Sequence, residues 1–321
     1  MIPTLDIAPL SQPGPARAET VAAIYRACRE TGFLSIVGSG VSPALINEMR
    51  AGVRAVFDVA EAAKWAQTIT RDNYRGYIPL GFFTPNGTTD RPDRYEGYKL
   101  HRETAPDDPI RQACALYGPN RWPAEVPGTR DVVLRYWAEM DRVAALLLGA
   151  LEEALELPAG RLVDAFAAPL TNMTLLHYPP QAPEESGHGI HPHKDTAALT
   201  IIAPDPVGGL EVKSSSGDWM TPNCPAGGFV VNIGDMLELW SGGRLVSTPH
   251  RVVNRSGRER YSFPYFAVPR YDVTVAPLRP PVAGFDRPPV HCGHWSAEVW
   301  RTNWPDETIT GETPELGTLP D

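Results

Sequence analysis

The chain of 321 residues is 42% hydrophobic and 21% charged, which is the composition of an ordinary globular protein. Its formal net charge of −9 argues against general nucleic-acid binding, because contact with the phosphate backbone requires a basic face. No uncharged apolar run reaches the roughly 18 residues that a membrane span needs. We therefore expect neither nucleic acid nor membrane as a partner.

Cysteine usage and the start of the chain indicate the compartment. Cys28, Cys114, Cys224 and Cys292 are widely separated and form no C-x-x-C pair, which is typical of free thiols in a reducing compartment. The opening residues, MIPTLD, have neither the basic nor the apolar region of a signal peptide. We therefore expect a cytoplasmic protein, and we expect it to be a monomer.

The first half of the chain predicts helices with one short buried strand. Residues 18–31 carry apolar side chains at helical spacing and end at Gly32, and residues 33–37 (FLSIV) predict a strand. A second helix is predicted to begin near Ser42. The strongest helix prediction covers residues 130–156, whose apolar residues on more than one face indicate a buried helix against a sheet.

In the second half the pattern changes to short β-type runs separated by clusters of Gly, Pro, Asn and Asp. Many short strands at this spacing indicate a sandwich or barrel of the jelly-roll type, so the fold class is mainly β with flanking helices. A final amphipathic stretch, residues 293–303, predicts a helix. The predicted strands are residues 172–178, 197–203, 209–213, 228–233, 236–240, 250–254 and 260–268.

Three side chains in the β-rich half form a candidate metal site. His193 and Asp195 lie two positions apart in an extended or turn-like segment, so both can point the same way. His250 begins another predicted strand and can supply a third ligand. Two imidazoles and one carboxylate suit Fe(II) and leave positions open for a co-substrate and O₂. A His-x-Asp pair alone is weak evidence, because chance supplies it often.

A second pair of residues strengthens the metal hypothesis. Arg260 and Ser262 share one face of the strand that follows His250. A guanidinium with a hydroxyl two residues on forms a fork for a buried carboxylate. That fork suits the distal carboxylate of 2-oxoglutarate, whose keto-acid end would chelate the iron.

From Tyr178 to Pro269 the chain resembles the isopenicillin N synthase-like branch of the 2-oxoglutarate dioxygenases. The N-terminal half also resembles this family at Arg75-Gly76-Tyr77 and at residues 93–98 (DRYEGY). The matching motifs, in order, are Tyr178-Pro179-Pro180, residues 189–195 (GIHPHKD), Leu199-Thr200, residues 208–212 (GGLEV), Trp219, residues 232–235 (NIGD), Gly242-Gly243, His250-Arg251-Val252 and Arg260-Tyr261-Ser262.

This resemblance implies a double-stranded β-helix, which is a jelly roll, and a role for each matching residue. His193, Asp195 and His250 correspond to the iron ligands. Arg260 and Ser262 correspond to the clamp on 2-oxoglutarate, with Tyr178 beside that co-substrate. The whole chain, 1–321, is then expected to form a single catalytic domain, with a helix-rich part (1–165), the jelly-roll core (166–275) and a C-terminal helix and tail (276–321).

The family implies oxidation of a small-molecule metabolite with release of succinate and CO₂. The cofactor set would be Fe(II), 2-oxoglutarate and O₂, with ascorbate as an auxiliary reductant. Hydroxylation in secondary metabolism is the expected outcome, and desaturation or cyclisation are the competing outcomes. The same motifs also fit an isopenicillin N synthase-like oxidase that does not use 2-oxoglutarate, an ethylene-forming type of enzyme, and a metal-binding jelly-roll protein without catalysis.

Residues outside the motif are harder to assign. In this family the substrate pocket is walled by N-terminal loops, the sheet interior and the C-terminal segment. His188 and His191 flank the ligand pair but lack the His-x-Asp spacing, so we expect them at the pocket rim. His177 is expected to be a core histidine, whereas His291 and His294 can face either substrate or solvent. The candidate substrate residues are Arg75, Tyr77, Phe83, Tyr98, Phe266 and Trp304.

Overall fold

The computed structural model describes residues 1–83, 92–181, 187–302 and 304. Across these ranges helices and strands alternate in the first half, and strands dominate the second. None of the described helices is long and apolar enough to cross a bilayer. The α-helices are α1 (Pro15–Glu30), α2 (Pro43–Phe57), α3 (Glu61–Trp65), α4 (Ile110–Ala113), α5 (Gly128–Ala154), α6 (Asp235–Trp240) and α7 (Cys292–Thr302).

The described strands form a large sheet, a smaller sheet and a separate two-stranded sheet. The strands are β1 (Thr4–Asp6), β2 (Phe33–Val37), β3 (Gly76–Ile78), β4 (Glu96–His101), β5 (Asn172–Tyr178), β6 (Ile190–His193), β7 (Leu199–Ile202), β8 (Leu210–Lys213), β9 (Trp219–Met220), β10 (Phe229–Ile233), β11 (His250–Val252), β12 (Arg260–Ser262), β13 (Tyr265–Ala267), β14 (Thr274–Val275) and β15 (Val290–His291). The large sheet has the order β1-β2-β10-β7-β13-β5-β4-β3, with β12 also paired to β5, and the smaller sheet has the order β6-β11-β8-β9.

The long helix α5 covers one face of the large sheet. It packs against α1 and α2 on one side and against β7 and β13 on the other. The Tyr136 ring lies 5.2 Å from that of Phe263, and the Trp137 ring lies 6.0 Å from that of Tyr265. These contacts confirm the prediction of a buried helix packed on a sheet. The bulky rings stabilise the packing, because they remove apolar surface from water on both sides of the contact.

Strands from the helix-rich first part join the large sheet. β2 pairs with β10, and β4 pairs with β5 along its full length. The composition of residues 1–165 did not reveal β3 and β4. β3 has only three residues, and β4 contains Glu96, Gly97 and Lys99, residue types that are depleted in strands. These two strands extend the sheet beside the candidate site.

Two strand predictions in the second half were wrong in detail. Residues 236–240 form the helix α6, which begins after Gly234 and carries Asp235 and Glu238 in its first turn, where the helix dipole favours negative charge. The predicted strand 260–268 is divided into β12 and β13 around Pro264, which has no N–H to donate to a ladder.

Candidate metal centre and cavity

His193 and His250 face each other across two neighbouring strands. His193 ends β6, His250 begins β11, and the two residues are directly paired in the antiparallel register. Their ring centroids are 4.3 Å apart. Sheet pairing therefore joins two imidazoles that lie 57 positions apart in the sequence (250 − 193).

Backbone carbonyl groups determine which ring nitrogens are free. The His193 Nδ1 lies 2.8 Å from the His191 carbonyl oxygen, and the His250 Nδ1 lies 3.2 Å from that of Thr248. A carbonyl oxygen only accepts, so each Nδ1 donates and each neutral imidazole keeps its lone pair on Nε2. Both Nε2 atoms lie 3.5 Å from Oδ1 of Asp195.

The two oxygens of Asp195 have separate environments. Oδ2 accepts hydrogen bonds from Thr200 Oγ1 at 2.6 Å and from Asn232 Nδ2 at 2.8 Å. Thr200 and Asn232 are themselves paired between β7 and β10, so the large sheet holds the carboxylate. Oδ1 is left facing the two imidazoles.

Charge and burial favour the metal-binding protonation states of Asp195 and His250. Burial alone would raise the pKa of Asp195, but the imidazoles of His250 and His193 hold that pKa below its usual range. Burial lowers the pKa of His250 to about 4, so this imidazole is neutral at neutral pH. Burial would also lower the pKa of His193, and the Asp195 carboxylate reverses that effect and raises it. An ionised carboxylate and neutral imidazoles are metal ligands, and a metal would displace any proton on His193.

The donor set fits a divalent transition metal. One ligand atom from each of His193, Asp195 and His250 lies within 4.8 Å of the other two. Three protein ligands of this kind leave coordination positions free, as in a catalytic rather than a structural site.

Arg260 presents a buried donor that no described residue satisfies. Its guanidinium lies 4.5 Å from the Tyr178 ring centroid, and its Nε donates to the Gly208 carbonyl oxygen at 2.5 Å. Within the described part of the chain its Nη1 has no hydrogen-bond partner. Ser262 is also buried, two residues along the same strand. An unsatisfied buried guanidinium N–H beside a hydroxyl fits a ligand carboxylate.

Tyr178, whose ring packs against the Arg260 guanidinium, is a neutral phenol, because burial raises its pKa to about 12. Leu176 and Ile190 pack against it, and both belong to the wall of a larger cavity. Arg260, Ser262 and Tyr178 themselves are not among the described residues that line this cavity.

A cavity of about 570 Å³ opens onto His193 and Asp195. Phe83 and Phe266, two of the predicted substrate residues, line it. Aromatic rings from three other parts of the chain, Tyr74, Tyr95 and Trp300, complete much of its apolar wall. The cavity is therefore large enough, and apolar enough, for a small organic molecule.

The other four predicted substrate residues are not among the described residues that line the cavity. The Tyr77 hydroxyl donates to Glu96 at 2.6 Å, and that of Tyr98 donates to Gln67 at 2.5 Å, on the opposite face of the sheet. Arg75 is buried and donates to the Leu116 carbonyl oxygen at 2.6 Å. Trp304 packs edge-on against Phe82.

Sequence reasoning missed Lys99, Asn172 and Thr174, all of which line the cavity. Lys99 is next to Tyr98 on β4, and successive residues of a strand point to opposite faces. The signal was a lysine in a strand whose other residues are all buried, but the strand itself was not predicted. Tyr98, the predicted residue, points to the face away from the cavity.

The remaining histidines have other partners. His191 Nδ1 lies 2.6 Å from Asp93 Oδ1, and its ring is 4.6 Å from that of His188. His177 lies between Glu96 and Glu259 and stacks on Tyr261. His291 and His294 lie 4.5 Å apart, outside the cavity wall. None of these belongs to the cluster of three ligands.

Two family models match the chain. Residues 170–269 match the 2OG-Fe(II) oxygenase superfamily, and residues 2–125 match the N-terminal region described as non-haem dioxygenase in morphine synthesis. The range 170–269 contains the three candidate metal ligands and also Tyr178, Arg260 and Ser262.

Characterised proteins are similar over most of their length. A homoarginine-6-hydroxylase of Oryza sativa subsp. japonica is 32% identical over 296 residues, which cover 86% of this chain and 88% of that enzyme. A 2-oxoglutarate-Fe(II) type oxidoreductase of Emericella nidulans is 32% identical over 280 residues, covering 82% of this chain and 78% of that protein.

Solved structures support the same fold. The structure of JOX2 in complex with 2OG, Fe and JA has a TM-score of 0.77 at 26% identity and covers 98% of this chain and 89% of its own. The structure of a full-length Neurospora crassa protein in complex with alpha-KG and thymine has a TM-score of 0.81 at 22% identity, covering 93% and 96%. The predicted jelly-roll fold with flanking helices is therefore confirmed.

Proposed function

The chain belongs to the 2OG-Fe(II) oxygenase superfamily, and we propose that it hydroxylates a small-molecule metabolite at an iron held by His193, Asp195 and His250. It is accordingly an oxidoreductase, a dioxygenase that uses Fe(II), 2-oxoglutarate and O₂. The observation that carries the ligand assignment is the convergence of three free ligand atoms within 4.8 Å.

Each part of the site has a separate task. When bound, Fe(II), 2-oxoglutarate and O₂ supply oxidation of a substrate C–H bond, with succinate and CO₂ as products. Thr200 and Asn232 orient Asp195, and two carbonyl groups orient the imidazoles.

The clamp and the cavity complete the arrangement. Arg260 and Ser262 bind the distal carboxylate of 2-oxoglutarate, with Tyr178 packed against the guanidinium. The apolar cavity wall positions a substrate next to the centre and limits the access of water.

Hydroxylation is supported over the competing outcomes by the name of the rice relative, which states a hydroxylase activity. Ascorbate would serve as an auxiliary reductant.

We also propose that the whole chain acts as one catalytic domain and as a monomer in the cytoplasm, in secondary metabolism. The pairing of β2 with β10 and of β4 with β5 supports one domain, because it joins strands of both halves in one sheet. The free cysteines, three of them buried, are consistent with a reducing compartment. Native mass spectrometry would test the monomer, since a dimer mass would contradict it.

Ligand and clamp roles are tested by one spectroscopic series. Anaerobic Fe(II) with 2-oxoglutarate should give a weak visible charge-transfer band, and aerobic turnover should release succinate. We expect His250→Ala to abolish the band. Arg260→Met should retain it only at 2-oxoglutarate concentrations about 10- to 100-fold higher, because a charge-assisted hydrogen bond is lost.

Arg258→Met is the matched control for the clamp, because Arg258 is an exposed arginine two residues before Arg260. We expect this variant to bind 2-oxoglutarate like the wild type. A wild-type protein without the band would contradict chelation of 2-oxoglutarate, and an unchanged band in His250→Ala would contradict the ligand assignment.

A further inference from the structure

Lys99 introduces a positive charge into the wall of the substrate cavity. It lies in the middle of β4, is only partly exposed, and lines the same cavity as His193 and Asp195. A lysine in such a position is costly, because burial penalises the charged ammonium and lowers the pKa of Lys99 to about 7. A cost of this kind is typical of sites that serve a function.

The ammonium of Lys99 is held in place by neutral groups. Its Nζ donates to Asn172 Oδ1 at 2.7 Å and to Thr174 Oγ1 at 3.0 Å. It also lies 5.3 Å from the Phe266 ring centroid and 5.8 Å from that of Tyr74. An ammonium has three N–H donors, so one remains for a ligand.

The other basic side chains of the cavity wall have acidic neighbours. Lys194 lies 3.8 Å from Glu238, and His191 lies 2.6 Å from Asp93. Among the residues that the structure describes, Lys99 forms no salt bridge with a carboxylate, and Asp195, the one carboxylate that acts on its charge, already faces the two imidazoles. Of these cations, Lys99 alone is thus available to an anion from outside the protein.

The sheet register places Lys99 and Arg260 at opposite ends of one strand face. Lys99 is paired with Thr174 of β5, and Arg260 is paired with Tyr178 of the same strand. Thr174 and Tyr178 lie four residues apart and therefore on one face, separated by about 13 Å. Two separate anions can be bound at this spacing.

We propose that Lys99, supported by Asn172 and Thr174, binds a carboxylate of the primary substrate and so selects organic acids with an apolar body. This assignment rests on the proposed function, since Arg260 is taken to bind 2-oxoglutarate. The rings of Phe266, Tyr74 and Trp300 provide the apolar surface for the rest of such a molecule. Binding the acid at Lys99 directs the remaining carbon atoms along the cavity toward the metal centre.

Matched acids and amides test the proposal. The probes are phenylacetate, 3-phenylpropanoate and 4-phenylbutanoate, each paired with its neutral amide, added to the anaerobic protein saturated with Fe(II) and 2-oxoglutarate. Binding is followed by tryptophan fluorescence, because Trp295 and Trp300 line the cavity. We expect at least one acid to bind about 10- to 100-fold more tightly than its amide, the range for a charge-assisted hydrogen bond.

Variants identify the responsible cation. Lys99→Met should reduce the affinity for that acid to the level of its amide, and Lys99→Arg should largely retain the preference. Lys194→Met, which removes a lysine from the same cavity wall, should leave the preference intact. The charge-transfer band of each variant, titrated with 2-oxoglutarate, separates loss of the acid site from loss of the iron or of the clamp.

Two results would overturn the assignment. One is a wild-type protein that binds no acid of the series more tightly than its amide. The other is a Lys99→Met variant that keeps the preference for acids. If the charge-transfer band is present in either case, the failure concerns Lys99 alone, whereas absence of the band from the wild type contradicts the proposed function.

Discussion

At the scale of single residues, two hydrogen-bonding neighbours give the two carboxylate oxygens of Asp195 different roles. Thr200 and Asn232 bind Oδ2, which leaves Oδ1 directed at the two imidazoles. Groups that orient a ligand in this way contribute to metal affinity without touching the metal. A change in either group should therefore change the affinity of the site for the metal.

Thr200→Val removes one of these hydrogen bonds with almost no change of shape. We expect Fe(II) to bind about 10- to 100-fold more weakly, because the carboxylate is held less firmly. Thr171→Val is the matched control, since Thr171 is equally buried but bonds the Val268 carbonyl group instead. Equal iron affinity of the two variants in an anaerobic titration would show that the orientation of Asp195 does not matter.

At the scale of elements, the start of α6 is packed directly on the loop that carries Asp195. A Cβ added at Gly234 would lie 2.0 Å from the Ala197 carbonyl oxygen and 2.8 Å from that of Asp195. These are backbone atoms, so the loop itself must move to accept a side chain. The close approach explains why a glycine precedes this helix.

Gly234→Ala should therefore destabilise the fold by at least about 2 kcal/mol through overpacking and should also weaken iron binding. Gly149→Ala is the opposite control. Gly149 lies in α5, where an added methyl group would meet open space, so alanine there should stabilise the protein by about 0.5–1 kcal/mol through helix propensity. Urea unfolding gives both values, and a neutral Gly234→Ala would contradict the packing argument.

A charged cluster joins three elements of the large sheet on the face away from the cavity. His177 of β5 contacts Glu96 of β4 and Glu259, which precedes β12. Burial alone would lower the pKa of His177, but the two carboxylates raise it above its usual value. Burial would raise the pKa of Glu96, yet His177, Lys64 and Tyr77 lower it to about 2.

The raised pKa of His177 makes the stability of the fold depend on pH in a definite direction. The folded protein binds the His177 proton more tightly than the unfolded chain does. The stabilisation that protonated His177 gives to the fold is therefore complete below about pH 6.5 and is lost as the pH rises through the raised pKa. His177→Gln should therefore cost more stability at about pH 5 than at about pH 9. Urea unfolding at both values measures this, and an equal cost at both would contradict a charged His177 in the fold.

At the scale of the whole molecule, the candidate centre connects the two sheets. His193 and His250 belong to the smaller sheet, whereas the groups that hold Asp195 belong to the larger one. A metal bound by all three ligands should thus resist separation of the sheets. Binding to the folded state alone stabilises it by mass action.

Thermal unfolding with Mn(II) in place of Fe(II) allows a direct measurement of this stabilisation. In the presence of 2-oxoglutarate, a metal concentration 100-fold above its dissociation constant should add about 2.7 kcal/mol and raise the melting temperature by several degrees. EDTA should reverse the shift, and His193→Ala should abolish it. His294→Ala, which removes a histidine outside the centre, should keep it, and loss of the shift there would indicate a different metal site.

Local sequence patterns were sufficient for much of the fold and for the prediction of a metal site at His193, Asp195 and His250. Residues 33–37 and 172–178 are strands with the predicted bounds, and α1, α2, α5 and α7 lie where helical spacing placed them. Local patterns suffice there because a long periodic run or a β-rich segment between turn residues has one favourable conformation. Residues 236–240 were misassigned, since a short apolar run fits either a strand or a helix.

The sequence alone predicted the ligand set His193, Asp195 and His250 and its link to 2-oxoglutarate, because motif spacing and residue chemistry carry that information. The structure brings ligand atoms of these three residues within 4.8 Å of one another. Only the tertiary structure decided that Lys99 rather than Tyr98 faces the cavity. Which face of a strand meets the metal depends on the sheet register and on what packs against each side. Those contacts are made by residues far apart in the chain, so no local pattern within β4 contains them.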